Sequence, residues 1–119
     1  MPETDARTVA TECLKSWTTG DLDRTRSLLH EDVTFTGPLA STQGVDDYMT
    51  GIDRMSAIVS RVDQTQVVVD GDDVCILYDL VTNDPPATIP TVGWYRVKDG
   101  KVVSVRAFFD PRPLLEGAA

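Results

Sequence analysis

The stretch V-G-W-Y-R-V-K-D-G-K-V-V-S-V-R-A-F-F-D, from Val92 to Asp110, constrains the chain more than any other. Two runs rich in Val, Phe, Tyr and Trp flank Lys98-Asp99-Gly100-Lys101, and Asp-Gly tolerates the positive φ angles that a tight hairpin turn requires. The stretch predicts a β-hairpin. Strand side chains alternate, so Thr91, Gly93, Tyr95 and Val97 share one face of the first strand, and Val103, Val105, Ala107 and Phe109 share one face of the second. The opposite faces carry Val92, Trp94 and Arg96, then Ser104, Arg106 and Phe108. Neither face is simply polar, so both sides of the hairpin should be covered.

The rest of the chain supplies the cover. Val9, Cys13, Leu14 and Trp17 fall at helical spacing between Thr8 and Trp17, and Gly20 supplies a stop. Asp21 is placed to cap a second, shorter helix with Leu22, Leu28 and Leu29 buried and Arg24 and Arg26 in water. Val33-Thr34-Phe35-Thr36 alternates as a short strand that ends at Gly37-Pro38. Asp46-Asp47 then favour a helix start, with Tyr48, Ile52, Met55 and Val59 on one face. From Arg61 the pattern is extended: Val67-Val68-Val69, a turn at Asp70-Gly71-Asp72-Asp73, and Val74 to Val81 with Val74, Ile76, Tyr78 and Leu80 facing together. Asn83-Asp84-Pro85-Pro86 breaks that strand, Ile89 begins the next, and Asp110-Pro111-Arg112-Pro113 ends the sheet. The pattern predicts one α+β domain over residues 1–119, with three N-terminal helices ahead of a curved, mostly antiparallel meander. A strongly twisted meander curls, and helices laid on its concave side enclose an apolar cone.

Charge excludes some partners. The 119 residues hold 19 acidic against 11 basic side chains, a formal charge of −8, which repels nucleic acid and anionic membrane alike. Cys13 and Cys75 lie in apolar patterns far apart and read as reduced thiols. The polar start of the chain and the absence of a long apolar run give the expectation of a cytoplasmic protein.

Three segments resemble the nuclear transport factor 2-like superfamily, in particular its SnoaL-like polyketide cyclase and ketosteroid isomerase branches. They are Gly20-Asp21-Leu22-Asp23 with Leu28 to Phe35, Gly44 before the third helix, and Gly100 to Phe109. The resemblance implies a cone-shaped sheet wrapped around three helices, also described as cystatin-like. It does not fix a reaction, because the fold hosts isomerases, cyclases, dehydratases, epoxide hydrolases and binding domains. Ketosteroid isomerases use an Asp base with a Tyr and a protonated Asp as oxyanion donors, an arrangement familiar from studies of carboxylate tuning. Aligned through the resembling segments, the Tyr position holds Cys13, the base position Gly37 and the second Asp position Gly93. A thiol is a weak donor and glycine carries no proton, so ketosteroid isomerase activity is expected to be absent. The epoxide hydrolase set also lacks a counterpart: alternation turns Asp79 away from the face of Tyr78, and Arg106 away from that of Val105.

Cys13, Trp17, Phe35, Leu39, Ile52, Met55, Ile76, Tyr78, Gly93, Tyr95, Ala107 and Phe109 are the candidate ligand-binding residues, with Met49 a further core or lining position. Tyr78, Tyr95 and His30 are the candidate catalytic residues; the phenols can hydrogen-bond a carbonyl, while His30 is equally a solvated group beside Glu31 and Asp32. Nothing in the pattern suggests a metal or cofactor. Trp94, Arg96, Arg106 and Phe108 form an amphipathic outer face, and resembled proteins dimerise through this face, so a homodimer is expected. The expected function is an apolar pocket for a small lipophilic or aromatic molecule. The alternatives are an isomerase, cyclase or dehydratase acting on a polyketide- or steroid-like molecule, and a dimerisation module with a filled cone.

Overall fold

The computed structural model describes residues 5–83 and 86–117. Its architecture is α+β, with four helices and one curved, open six-stranded sheet. In chain order these are α1 (Ala6–Thr18), α2 (Leu22–Ser27), β1 (Leu29–Thr36), β2 (Ser41–Gln43), α3 (Val45–Ile58), β3 (Val59–Asp70), β4 (Asp73–Asn83), β5 (Pro86–Lys98), β6 (Lys101–Phe109) and α4 (Arg112–Gly117). The strands lie in the order β2-β1-β6-β5-β4-β3. All neighbours are antiparallel except β1 and β6, which run parallel because α3 and the long meander separate them in sequence.

The β5–β6 hairpin forms as its turn chemistry dictates. Asp99 and Gly100 take φ of +53° and +75°, the paired positive angles of a two-residue turn matched to strand twist. Register then carries side chains across the sheet in rows. Thr42, Phe35, Val105, Tyr95, Val74 and Val69 form one inward row through all six strands. Val67, Ile76, Gly93 and Ala107 form the next, and Gln64, Tyr78, Thr91 and Phe109 the one after. Burial along β4 alternates strictly, with Val74, Ile76, Tyr78, Leu80 and Thr82 inside.

The helices cover the concave side. Along α1, Val9, Ala10, Cys13, Leu14 and Trp17 are buried against β3, β4, β5 and β6. The short α2 is capped by the Asp21 carboxylate, which accepts from Arg24 N–H at 3.2 Å. Where the two helices meet, the Ser16 and Thr25 hydroxyls bond at 2.6 Å and are both buried. Gly44 precedes α3 with φ +88° and ψ 155°, a conformation close to glycine-only, and its N–H donates to Val33 O at 2.8 Å. That bond fixes α3 over β1.

Several details differ from the sequence expectation: Val59, expected on the face of α3, is instead the first residue of β3, because α3 ends at Ile58, and Ser41–Gln43 forms the unexpected strand β2. A register shift between Arg96 and Val97 pairs Val97 with Val102, so Val102 is fully buried and Val103 leaves the inward face that Val105 occupies. The bulge reverses the parity of everything between it and the turn. Leu28 and Leu29 are buried as expected, but Leu28 is the C-cap of α2 and Leu29 opens β1, four residues earlier than Val33. β5 begins at Pro86 rather than Ile89; of the expected break before it, Asp84 and Pro85 lie outside the described residues. Finally, Arg112-Pro113 opens a fourth helix, where proline is tolerated because the first turn needs no N–H partner.

Candidate functional site

A cavity of about 480 Å³ opens at one end of the concave face. The sheet contributes Phe35, Thr42, Tyr78, Leu80, Thr91, Gly93, Tyr95, Val105, Ala107 and Phe109. Helix α1 contributes Trp17, while α3 supplies Tyr48, Gly51, Ile52, Arg54, Met55 and Ile58. Around the mouth stand Pro38 and Leu39 from the β1–β2 connection and Leu114 and Leu115 from α4; Leu39 and Leu115 are exposed.

Small residues in the wall leave room for large rings beside them. A Cβ added at Gly93 would stand 3.0 Å from Tyr95 Cε1 and 3.5 Å from Tyr78 Cε1, so both phenols lean across the space a side chain would fill. At Gly37 it would stand 2.8 Å from Phe35 Cζ, and that ring in turn packs on Tyr48 with centroids 5.6 Å apart. The α3 face that carries Tyr48 is set by the Gly44 anchor, and Tyr48 N–H closes the first turn on Gly44 O at 3.1 Å.

The polar groups in this wall are few and, apart from Arg54, neutral. Burial pushes the Tyr48, Tyr78 and Tyr95 phenols up from their ordinary value, and the neighbouring Cys13 thiol adds to the shift at Tyr48 and Tyr95. All three are therefore protonated at neutral pH and act as donors rather than bases. Burial likewise pushes the Cys13 thiol up to about 12. The Trp17 indole N–H approaches the Tyr95 hydroxyl closely enough to favour its ionised form, yet falls short of hydrogen-bond geometry. Trp17 Nε1 and Thr42 Oγ1 are both buried without a partner among the described residues, and both belong to the cavity wall. Unpaired buried polar atoms are rare in folded proteins and cost about 1–3 kcal/mol each, so two in one cavity need a reason. Arg54 is the single charged residue of the lining among the described residues; no Asp, Glu or His shares it.

Most candidate ligand-binding residues meet at this cavity: Trp17, Phe35, Leu39, Ile52, Met55, Tyr78, Gly93, Tyr95, Ala107 and Phe109. Cys13 and Ile76 do not line it. Both are fully buried in the packed cluster between α1 and the sheet, where no free volume reaches them. Met49 is half-buried against the same cluster. His30 lies on β1, exposed and away from the cavity, with its Nδ1 accepting from Asp32 N–H at 3.0 Å. Sequence reasoning did not assign Thr42, Tyr48, Arg54 or Thr91 to the lining. Tyr48 and Thr91 carried the periodic signal, but the seating of α3 and the reach of β2 carried none. Asp79 is half-buried outside the lining, and Asp110 is held by Arg112, whose guanidinium bonds keep its carboxyl at about 2.

The model of the SnoaL-like domain family matches residues 10–105. The chain belongs to that family. Among solved structures, a nuclear transport factor 2-like protein of unknown function from Cytophaga hutchinsonii is 29% identical, with a TM-score of 0.83 over 93% of this chain and 95% of that one. A LEH-like epoxide hydrolase from M. tuberculosis is 21% identical, with a TM-score of 0.79 over 94% of this chain and 87% of that one. A putative polyketide cyclase from Sinorhizobium meliloti is 16% identical, with a TM-score of 0.76 over 83% of this chain and 92% of that one. These last two likenesses are of fold. No curated protein matches the sequence. Among the described residues no helix of this SnoaL-like protein is long and apolar enough to cross a membrane, and no group of His, Cys, Asp and Glu is arranged to hold a metal ion.

Proposed function

We propose that this SnoaL-like domain binds a small, mainly apolar molecule that carries a hydrogen-bond acceptor. The observation that supports this most is that Trp17 Nε1 and Thr42 Oγ1 are both buried without a partner among the described residues in the wall of a 480 Å³ cavity that is mostly apolar and aromatic. That volume falls within the roughly 300–1,000 Å³ of small-molecule sites. An acceptor on the ligand satisfies the indole N–H, and the neutral phenols of Tyr78 and Tyr95 add further donors. Ketosteroid isomerase chemistry has no support here, since Gly37, Gly93 and Cys13 occupy the positions where the resemblance calls for a base and two donors. The cavity also argues against a filled cone acting only as a dimerisation module.

An isomerase, cyclase or dehydratase is the second reading, favoured by three protonated phenols near one another and able to polarise a carbonyl. Against it stands a lining without a proton-accepting side chain among the described residues. Calorimetric titration with neutral bicyclic and steroid-like ketones, repeated with Thr42→Val and Trp17→Phe, tests binding. Each variant is expected to weaken affinity several-fold, and unchanged affinity in both would count against the reading. Product analysis of polyketide-like substrates with Tyr78→Phe and Tyr95→Phe tests catalysis; turnover lost in either variant would favour the enzyme.

The assembly proposed is a cytoplasmic homodimer joined through the outer sheet face. Arg106 lies over the Trp94 ring at 5.1 Å and over Phe108 at 5.7 Å, and Phe108 is half exposed. Val68, half exposed, continues the row of Cys75, Trp94 and Arg106. Arg96 takes a different part: Asp73 engages it at 2.9 Å, leaving Arg106 as the stacked cation. Light scattering of Phe108→Glu is expected to give monomer where the parent protein gives dimer.

A further inference from the structure

A charged side chain at a largely apolar cavity, Arg54, suggests more about its ligand. Arg54 lies on α3 between Gly51 and Met55, all three in the lining, with exposed Leu39 and Leu115 at the same mouth. The ion pairs of the described residues engage Arg26, Arg61, Arg96, Lys98 and Arg112, and none engages Arg54. Among the described residues no acidic side chain shares the lining to neutralise it, although acidic side chains outnumber basic ones by 19 to 11 in the chain. Two cations elsewhere on the helices and sheet are engaged: Lys101 donates to Ser27 O at 2.6 Å, and Arg26 pairs with Asp46 at the start of α3. In the wall of the same cavity, Trp17 Nε1 and Thr42 Oγ1 are buried without a partner among the described residues. The site thus has an apolar interior with neutral donors and a free guanidinium at its rim.

We infer that the ligand is an amphipathic carboxylic acid, with its ring or chain in the cone and its carboxylate on Arg54. This rests on the binding function proposed above and narrows it. A guanidinium presents a planar fork of donors that a carboxylate matches in two parallel bonds, whereas a neutral ester accepts more weakly and adds no charge. The protein's net negative charge makes a stray anion unwelcome elsewhere, so selectivity for the acid comes from this one residue. The apolar body supplies most of the affinity and Arg54 the preference.

The test compares naphthoic acid with methyl naphthoate by calorimetry at neutral pH, in the full chain and in Arg54→Met and Arg54→Lys. Arg54 is exposed, and both substitutions keep an unbranched stem on a helix, so folding is preserved. The acid is expected to bind about five- to tenfold tighter than the ester, a preference that weakens with added salt. Arg54→Met should remove the preference by weakening the acid far more than the ester, and Arg54→Lys should keep part of it. Equal binding of acid and ester in the parent protein, or a preference that survives Arg54→Met, overturns this inference and leaves the proposed binding function standing. Failure of both compounds to bind overturns the two together.

Discussion

The two ends of the concave face are built on the same strands with the same alternation, yet one is solid and the other hollow. In the solid part, Val33, Val74, Val97 and Val102, with Ile76 in register beside Gly93, are all within 3% of complete burial. Towards α4, the inward positions are Gly93, Ala107, Thr91 and Phe109, and the volume above them is shared by rings that meet from different elements. Polar atoms follow the same division. Buried Ser16 donates to Cys13 O at 2.8 Å and bonds Thr25 in the solid part, whereas Trp17 Nε1 and Thr42 Oγ1 in the hollow part find no partner among the described residues. Close packing and satisfied polar groups are what a stable core requires, and their local absence is what a binding site requires. One continuous core therefore holds the fold at one end and leaves recognition to the other.

Substitutions at the two ends should separate these roles. Ile76→Ala at the solid end is expected to cost about 3 kcal/mol in urea unfolding, since a fully buried side chain leaves a void. Met55→Ala beside the hollow should cost about 1 kcal/mol or less, because its neighbours already border free volume. Equal losses would erase the distinction. Gly93→Ala sits between: its new methyl meets Tyr95 at 3.0 Å, so the ring must move into the cavity. We expect about 1 kcal/mol of destabilisation and a clear loss of ligand affinity. Thr42→Val should leave stability within about 0.5 kcal/mol or raise it slightly, since an unpaired buried hydroxyl is replaced by a methyl of similar shape. A loss of more than about 1 kcal/mol would mean that the hydroxyl has a partner.

The smallest expected effect is one of pH. The Asp110 carboxyl, held at about 2 by Arg112 at the base of α4, lies below its ordinary value. Its contribution is full above the unfolded pKa and fades as pH falls from about 4 towards 2. Urea midpoints over that range should drop slightly more for the parent protein than for Asp110→Asn. Identical slopes would show that this pair does not hold α4 at the mouth.

Much of this was legible in the chain. Asp99-Gly100 fixes the hairpin, and the alternation of β4 and β5 places Tyr78, Tyr95 and Gly93 on the inward face. The bulge at Val102-Val103 was not legible, because two consecutive valines satisfy either parity. Strand β2 was missed as Ser41-Thr42-Gln43, a polar triplet whose strand character comes only from pairing with β1. Helix α4 was hidden by Pro111 and Pro113, which read as a terminator. The cavity itself depends on how far α3 stands from the sheet, a distance no local pattern encodes. That is why Tyr48 was legible as a buried helix position but not as part of a wall, and why Arg54 gave no signal.

The central claim is that the hollow end takes up a small apolar molecule against Trp17. In a Trp94→Phe variant Trp17 is the sole tryptophan, and its fluorescence can be followed during titration with a neutral, non-absorbing cyclic ketone. The account predicts a saturable change in Trp17 emission that is weakened by Thr42→Val and by Gly93→Ala. A folded protein whose Trp17 emission stays constant across the titration would contradict it.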